Sequence, residues 1–505
     1  LSVKKNILAN YASQFYVTLI GIFMVPFYIR YMGAEAYGLV GFYALLQSWF
    51  MLLDMGLTPT LERETARFYG GAIDGARYFS LFRVLEEVFF VVSLAGGSAM
   101  VMASGYISEH WLNVSLLAGV EVQNAVRLMG VIIALRWMGG LYRGAVIGSE
   151  RLGWLGGFNA VIATVRFVGV VPLLMFAGAT PTFFFGFQFC IAVLELSVLI
   201  GYVYGFLPAA PGRHALSFDF GPIRRLLRFS LTIAFTSSVW VVTTQMDKLV
   251  LSKMLPLAEY GYFSLSVLVA SVVIVISNPV RSAVMPRLTR SEAENDTVSF
   301  LGVYRKATQL VVVVAGSAAI TLAFHAEPVL FSWTGDRILA LKAAPVLRLY
   351  AMGNGLLAVA GFSYYMQYAK GDLRLHFLWS IGSLLLLIPA VIWAAARYGG
   401  SGAGYVWVSL NLLSFLILIP LVHRRFFPGL NRQWFMKDVL AIVSAGVLSG
   451  ALTSRLMLQD AGRWIQLAEV AGAAVLILLA SAAASSELRA KMKGLAMLRR
   501  QRATA

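Results

Sequence analysis

"FRVLEEVFFVVSLAGGSAMVMA", residues 82–103, sets Arg83, Glu86 and Glu87 at the mouth of an apolar run that ends at Ala103. In a water-soluble core those charges would be a packing error; at the edge of a bilayer they mark either a boundary or a site. The whole chain decides for the bilayer. Of 505 residues 59% are hydrophobic and 13% charged, with a mean hydropathy of +0.76, whereas soluble domains carry about 25% charged residues. Windows of roughly 20 apolar residues, the length that crosses a hydrocarbon core, recur from end to end. We read fourteen, centred near Leu19, Leu46, Val92, Ile133, Val165, Val193, Val239, Val269, Val314, Leu357, Leu386, Leu413, Val447 and Leu476. The loops between them are too short for a soluble catalytic module, so the expectation is an all-α polytopic membrane protein with 14 transmembrane helices.

The net charge of +17 would suggest nucleic acid in a soluble protein, but the positive-inside rule explains it better. With the N-terminus placed in the cytoplasm, Lys and Arg collect on cytoplasmic segments such as "GPIRRLLRF" (221–229), "VHRRFF" (422–427) and the tail "ELRAKMKGLAMLRRQR" (487–502). Both termini are then cytoplasmic, and the tail meets anionic lipid. "LSVKKNILANYASQF" (1–15) carries two lysines before an apolar run but lacks a small-residue cleavage site, and reads as an uncleaved first span. Cys190 is the only cysteine, which excludes an internal disulfide and a Cys-based metal site.

Two pairs of segments align at one offset, 223 residues. "LYRGAVIGSERL" (141–152) matches "YYMQYAKGDLRL" (364–375) at Tyr142/Tyr365, Gly148/Gly371, Arg151/Arg374 and Leu152/Leu375. "MGAEAYGLVGFY" (32–43) matches "LPLAEYGYFSLS" (255–266) at Tyr37/Tyr260 and Gly38/Gly261. Six spans separate the copies, an even number, which makes the repeat parallel. The expected domains are an N-terminal six-helix bundle (1–208), a cytoplasmic linker and amphipathic segment (209–228), a C-terminal six-helix bundle (229–425), and two extra helices with a basic tail (426–505). Two like bundles around a central cleft are the architecture of a secondary transporter, in which a midplane site is exposed to each side in turn.

The opening segment, "NILANYASQFYVTLIGIFMVPFYIRYMGAEAYGLVGFYALLQSWFMLLDMGLTPTLERETAR" (6–67), resembles the start of Wzx-type oligosaccharide and polysaccharide flippases, a branch of the multidrug/oligosaccharidyl-lipid/polysaccharide exporter superfamily. "TTQMDKLVLSKMLPLAEYGYFSLS" (243–266) is similar to that family's acidic residue near the end of span seven followed by a Glu-x-Gly-Tyr-like turn. The resemblance implies an O-antigen-like flippase, not an enzyme, that moves an undecaprenyl-diphosphate glycan from the cytoplasmic to the periplasmic leaflet of the bacterial inner membrane. Its expected partners are the lipid-linked oligosaccharide, membrane lipids and glycan polymerase or ligase machinery. It is expected to be a monomer, to bind no nucleic acid, metal or cofactor, and to use H⁺ or Na⁺ as coupling ion.

A charge at mid-membrane costs about 2.5–3.5 kcal/mol on insertion scales, whereas one near a helix end can snorkel, so depth ranks the candidates. Arg166 lies near the centre of span five, with Asn159 two turns earlier on the same face. It faces an aqueous cavity or pairs with a carboxylate on a neighbouring helix. Arg136 lies in the cytoplasmic third of span four, with Arg143 two turns further along, and is either a site residue or a snorkelling one. Arg127, with Asn124 three residues before it, fits the opposite interface. Arg166, Arg136, Arg127 and Asn159, with Arg83 and Lys248, are the candidate substrate-binding set, because the planar fork of Arg matches phosphate oxygens. Glu86 and Glu87 form either a rim ion pair with Arg83 or a coupling site for a proton or Na⁺. Asp247 and Asp54 complete the ion-coupling or gating candidates.

Other motifs read more plainly. "TPTFFFGFQF" (180–189) is an aromatic interface belt, and "GGSGAG" (399–404) lacks the preceding strand of a nucleotide loop. A multidrug exporter would want carboxylates for its cationic cargo, whereas the deep charge here is arginine; a peptidoglycan-precursor flippase stays open. A membrane glycan polymerase or ligase would carry a large outer loop, which this chain lacks.

Overall fold

The computed structural model describes the backbone of residues 3–208, 221–458 and 461–490, and the side chains of residues 12–208, 238–458 and 461–490. Of the expected linker (209–228), residues 209–220 lie outside the described residues, as does the tail from 491 onward, while 221–228 are helical. Within them the chain is helix and turn, apart from one isolated bridge between Asn113 and Pro256. Helix is what the composition demands, since lipid offers no partners to backbone N–H and C=O groups.

The helices are, in order, α1 (Val3–Phe50), α2 (Leu57–Tyr69), α3 (Gly75–Tyr106), α4 (Gly119–Gly148), α5 (Leu152–Val168), α6 (Val170–Phe176), α7 (Pro181–Tyr204) and α8 (Gly221–Met254). They continue with α9 (Leu257–Ala293), α10 (Thr297–Val311), α11 (Ser317–Phe324), α12 (Ala326–Thr334), α13 (Arg337–Ala369), α14 (Arg374–Leu413), α15 (Ile419–Phe426), α16 (Leu430–Gln433), α17 (Ala441–Leu456) and α18 (Arg463–Ala484). Several of the few acids are spent on helix starts: Asp74 accepts from Arg77 N–H, Asp296 from Ser299 N–H and Asp336 from Leu339 N–H.

Among the described residues eleven helical stretches are long and apolar enough to cross a membrane, where the sequence windows number fourteen. Two stretches take in two windows each because two helices meet there at a single non-helical glycine. α1 turns at Gly33 (φ +85°) and α14 at Gly399 (φ +56°), backbone angles that favour glycine. The window at Val239 lies in α8, whose side chains are described only from residue 238.

The chain divides into two compact units, Leu1–Gly261 and Tyr262–Ala505. In the first, α4 packs between α3 and α7 around Tyr78, Phe82, Phe89, Trp137, Tyr142 and Leu199, with Phe89 stacked on Trp137 at 4.5 Å. Gly97 and Gly130 let α3 and α4 close up: a Cβ at Gly130 would lie 2.7 Å from Met100 Cβ. α1 lies along α5, tied by Ser13 Oγ to Gly156 O (2.7 Å) and by Tyr16 to Thr164 (2.6 Å). In the second unit, Asp438 is fully buried beside Trp434 and accepts two bonds from Arg305 (2.6 and 3.0 Å) and one from Gln309 (2.7 Å). That network anchors the helices after residue 430 to α10.

The repeat has a physical counterpart inside the first unit. A Cβ on Gly38 would meet Leu257 O at 2.2 Å, and a Cβ on Gly261 would meet Ala34 O at 2.5 Å. Gly38 and Gly261 are one matched pair, and Ala34 and Leu257 another, at the same 223-residue offset. Each copy thus presents its glycine to the other's carbonyl, the exchange of partners that a local two-fold relation produces. Nearby, the α3–α4 loop clasps both segments. Glu35 accepts from the backbone N–H groups of Ser115 (2.5 Å), Leu116 (2.8 Å) and Leu117 (3.1 Å), while Leu257 N–H donates to Asn113 O (2.9 Å).

Candidate functional site

Three neighbouring helices each carry two polar side chains seven residues apart, two turns along one face. They are Arg136 and Arg143 on α4, Asn159 and Arg166 on α5, and Gln188 and Glu195 on α7. Packing of α4 against α5 and α7 assembles the six into two layers, about 10 Å apart by the helical rise. In the layer nearer the N-terminal end of α5, Arg143 donates through Nη1 to Asn159 and through Nη2 to Glu195 (2.5 Å). In the other layer Gln188 Oε1 accepts from Arg166 Nε (3.1 Å) and Arg136 Nη2 (3.3 Å), and its Nε2 donates to Arg166 O (3.2 Å). Glu195 Oε2, 3.6 Å from Arg136 Nε, joins the layers.

A cavity of about 380 Å³ opens on this array, lined by Arg143, Asn159, Arg166 and Glu195 together with Ser13 and Thr18 of α1. That is within the range of small-ligand sites. Arg166 makes no ion pair among the described residues; its guanidinium lies 4.8 Å from the Phe167 ring centroid. Arg136 does not line the cavity. It is buried behind it, donating through Nη1 to Tyr43 Oη (2.6 Å). Three guanidiniums therefore share one carboxylate, and two positive charges are left for a ligand to meet. Asn159, Arg166 and Arg136 were candidates from depth and spacing; Gln188 and Glu195 were missed, although the same seven-residue spacing stands in "GFQFCIAVLELSV" (186–198).

The remaining candidates lie elsewhere. Arg83 pairs with Glu86, and Glu86 also accepts from Tyr142 Oη (2.6 Å) and Tyr204 Oη (2.8 Å), an anchor among α3, α4 and the end of α7. One oxygen of Glu87 is buried with no hydrogen-bond partner among the described residues. Arg127 is exposed, 3.4 Å from Asn124 Oδ1. On α8, Asp247 is buried with Oδ1 3.6 Å from Lys248 Nζ, and Lys248 Nζ also donates to Thr244 O (2.5 Å). Asp54 accepts from Thr58 N–H (3.3 Å) and from the Thr58 hydroxyl, at the start of α2. None of these lines the cavity.

Comparison with known proteins places this arrangement in context. Residues 3–292 match the family described as "Polysaccharide biosynthesis protein". The chain is 21% identical over 418 residues to a Shigella flexneri protein named "Putative O-antigen transporter", covering 83% of this chain and 97% of that one. In fold it is similar to the solved structure "Lipid II flippase MurJ, inward closed conformation", at a TM-score of 0.73 with 14% identity, covering 94% of this chain and 98% of that one. It is also similar to an inward-facing multidrug resistance transporter of the MATE family, at a TM-score of 0.65 with 13% identity, covering 81% of this chain and 96% of that one. These likenesses show that the polytopic all-α fold is shared.

Proposed function

The chain belongs to the polysaccharide biosynthesis protein family, and on that premise we propose that it is a flippase that carries a lipid-linked oligosaccharide across the bacterial inner membrane. Its substrate is an undecaprenyl-diphosphate glycan, moved from the cytoplasmic to the outer leaflet by alternating exposure of the cavity. The observation that carries this reading is the charge balance: Arg143, Arg166 and Arg136 against Glu195 alone. Charge held inside a membrane is costly unless compensated, and an anion compensates it. A diphosphate supplies two phosphates, each able to accept paired N–H bonds from a guanidinium. A cationic drug would be repelled, which weighs against multidrug export. The O-antigen in the Shigella relative's name agrees with a glycan cargo.

The distribution of Lys and Arg supports a topology with both termini in the cytoplasm, and in this reading a glycan polymerase or ligase takes the delivered product. H⁺ or Na⁺ coupling would fall to an acid outside the cavity, of which Glu87 is the candidate with an unsatisfied oxygen. The test is reconstitution into liposomes with a fluorescent undecaprenyl-diphosphate oligosaccharide, its leaflet read by quenching. The wild type should move the lipid, and Arg166→Ala, folded by its thermal melt, should slow it tenfold or more. Transport at the wild-type rate by both Arg166→Ala and Arg143→Ala would remove the anion site.

A further inference from the structure

The cavity poses a problem of release: an array of arginines tight enough to capture a diphosphate would also keep it. Glu195 is placed to solve that. Its Oε1 takes the Nη2 donor of Arg143, the same fork that a phosphate would use. Its Oε2 is 3.6 Å from Arg136 Nε, beyond hydrogen-bond reach, and that Nε–H is buried with no hydrogen-bond partner among the described residues. Buried donors are normally satisfied, and an unmet one beside a carboxylate points to a second position for that carboxylate.

We propose that Glu195 is a resident counter-anion: it holds Arg143 while the cavity is empty, yields it to the substrate's phosphate, and turns to the waiting Nε–H of Arg136 while the substrate is bound. The inference rests on the reading of the cavity as a diphosphate site. The exchange is balanced, because phosphate gains the Arg143 fork as Glu195 gains the Arg136 donor, and Arg143 faces an anion in both states. Release runs the same exchange backwards, with Glu195 recapturing Arg143 and expelling the phosphate. Asn159, which accepts from the other arm of Arg143, keeps the guanidinium in place through both states.

The probe is farnesyl diphosphate, titrated against the full chain in lipid nanodiscs, with flipping measured in parallel on the fluorescent glycolipid. Glu195→Gln keeps an acceptor in place but removes the competing charge. It should bind farnesyl diphosphate tenfold or more tightly and lower both KM and kcat for flipping. Glu195→Asp keeps the charge, and so the fold, but draws it back from Arg143; it should shift affinity in the same direction by a smaller factor. If Glu195 merely braced the arginines, both variants would bind more weakly. That result, or unchanged affinity, overturns the counter-anion while leaving the site intact, provided Arg143→Ala and Arg166→Ala each weaken binding tenfold or more. Indifference of those two variants overturns the site itself and this inference with it.

Discussion

Gln188 is the side chain on which the cavity's charge balance turns, because it satisfies two guanidiniums without neutralising either. An amide presents its oxygen to Arg136 and Arg166 as a neutral acceptor, so both keep their full charge for an anion. Gln188→Glu preserves the shape and makes the oxygen anionic. The expected outcome is a folded protein whose affinity for farnesyl diphosphate falls tenfold or more by titration; an affinity equal to wild type would mean that the ligand does not sense the array. Depth and spacing were enough to single out Arg166, Asn159 and Arg136 from sequence. Glu195 and Gln188 escaped because a lone acid in span six acquires meaning only once α7 is known to lie beside α4. Helix adjacency is a property of packing, invisible in hydropathy.

At the scale of elements, the contact between the start of α9 and the part of α1 beyond its bend is made of backbone, and backbone cannot yield. Gly261→Ala would drive a methyl to 2.5 Å from Ala34 O, and overpacking of this kind typically costs about 1–3 kcal/mol. Gly157, also helical, has nothing within 4 Å of its added Cβ, so Gly157→Ala should leave stability unchanged or slightly raised. Thermal melts of the two purified variants would compare them, and equal midpoints would show the close approach to be relaxed in solution. The matched glycines were legible as a repeat from the 223-residue offset. Their direct contact was not, since sequence identity between copies says nothing of whether the copies touch. The bends at Gly33 and Gly399 were likewise hidden: hydropathy separates two apolar windows without revealing that one non-helical glycine is all that joins the two helices.

For the whole molecule, the charges in the cavity dictate how an electrical potential acts on the transport cycle. Each phosphate of a diester chain carries one negative charge, so the proposed diphosphate substrate would offset the two positive charges that Glu195 leaves uncompensated. The loaded protein then moves little charge outward, while the empty protein carries two positive charges inward on its return. A charge crossing the full potential gains about 2.3 kcal/mol per 100 mV, so in the proposed cycle an inside-negative membrane would accelerate the return step without a coupling ion. In liposomes free of H⁺ and Na⁺ gradients, a potassium diffusion potential of that sign should therefore raise flipping at saturating substrate. Glu195→Gln returns three charges and should depend on voltage more steeply than wild type. Flipping indifferent to voltage but responsive to a H⁺ or Na⁺ gradient would transfer the driving force from the arginine cavity to a separate carboxylate, and Glu87→Gln would then be the variant that abolishes the response.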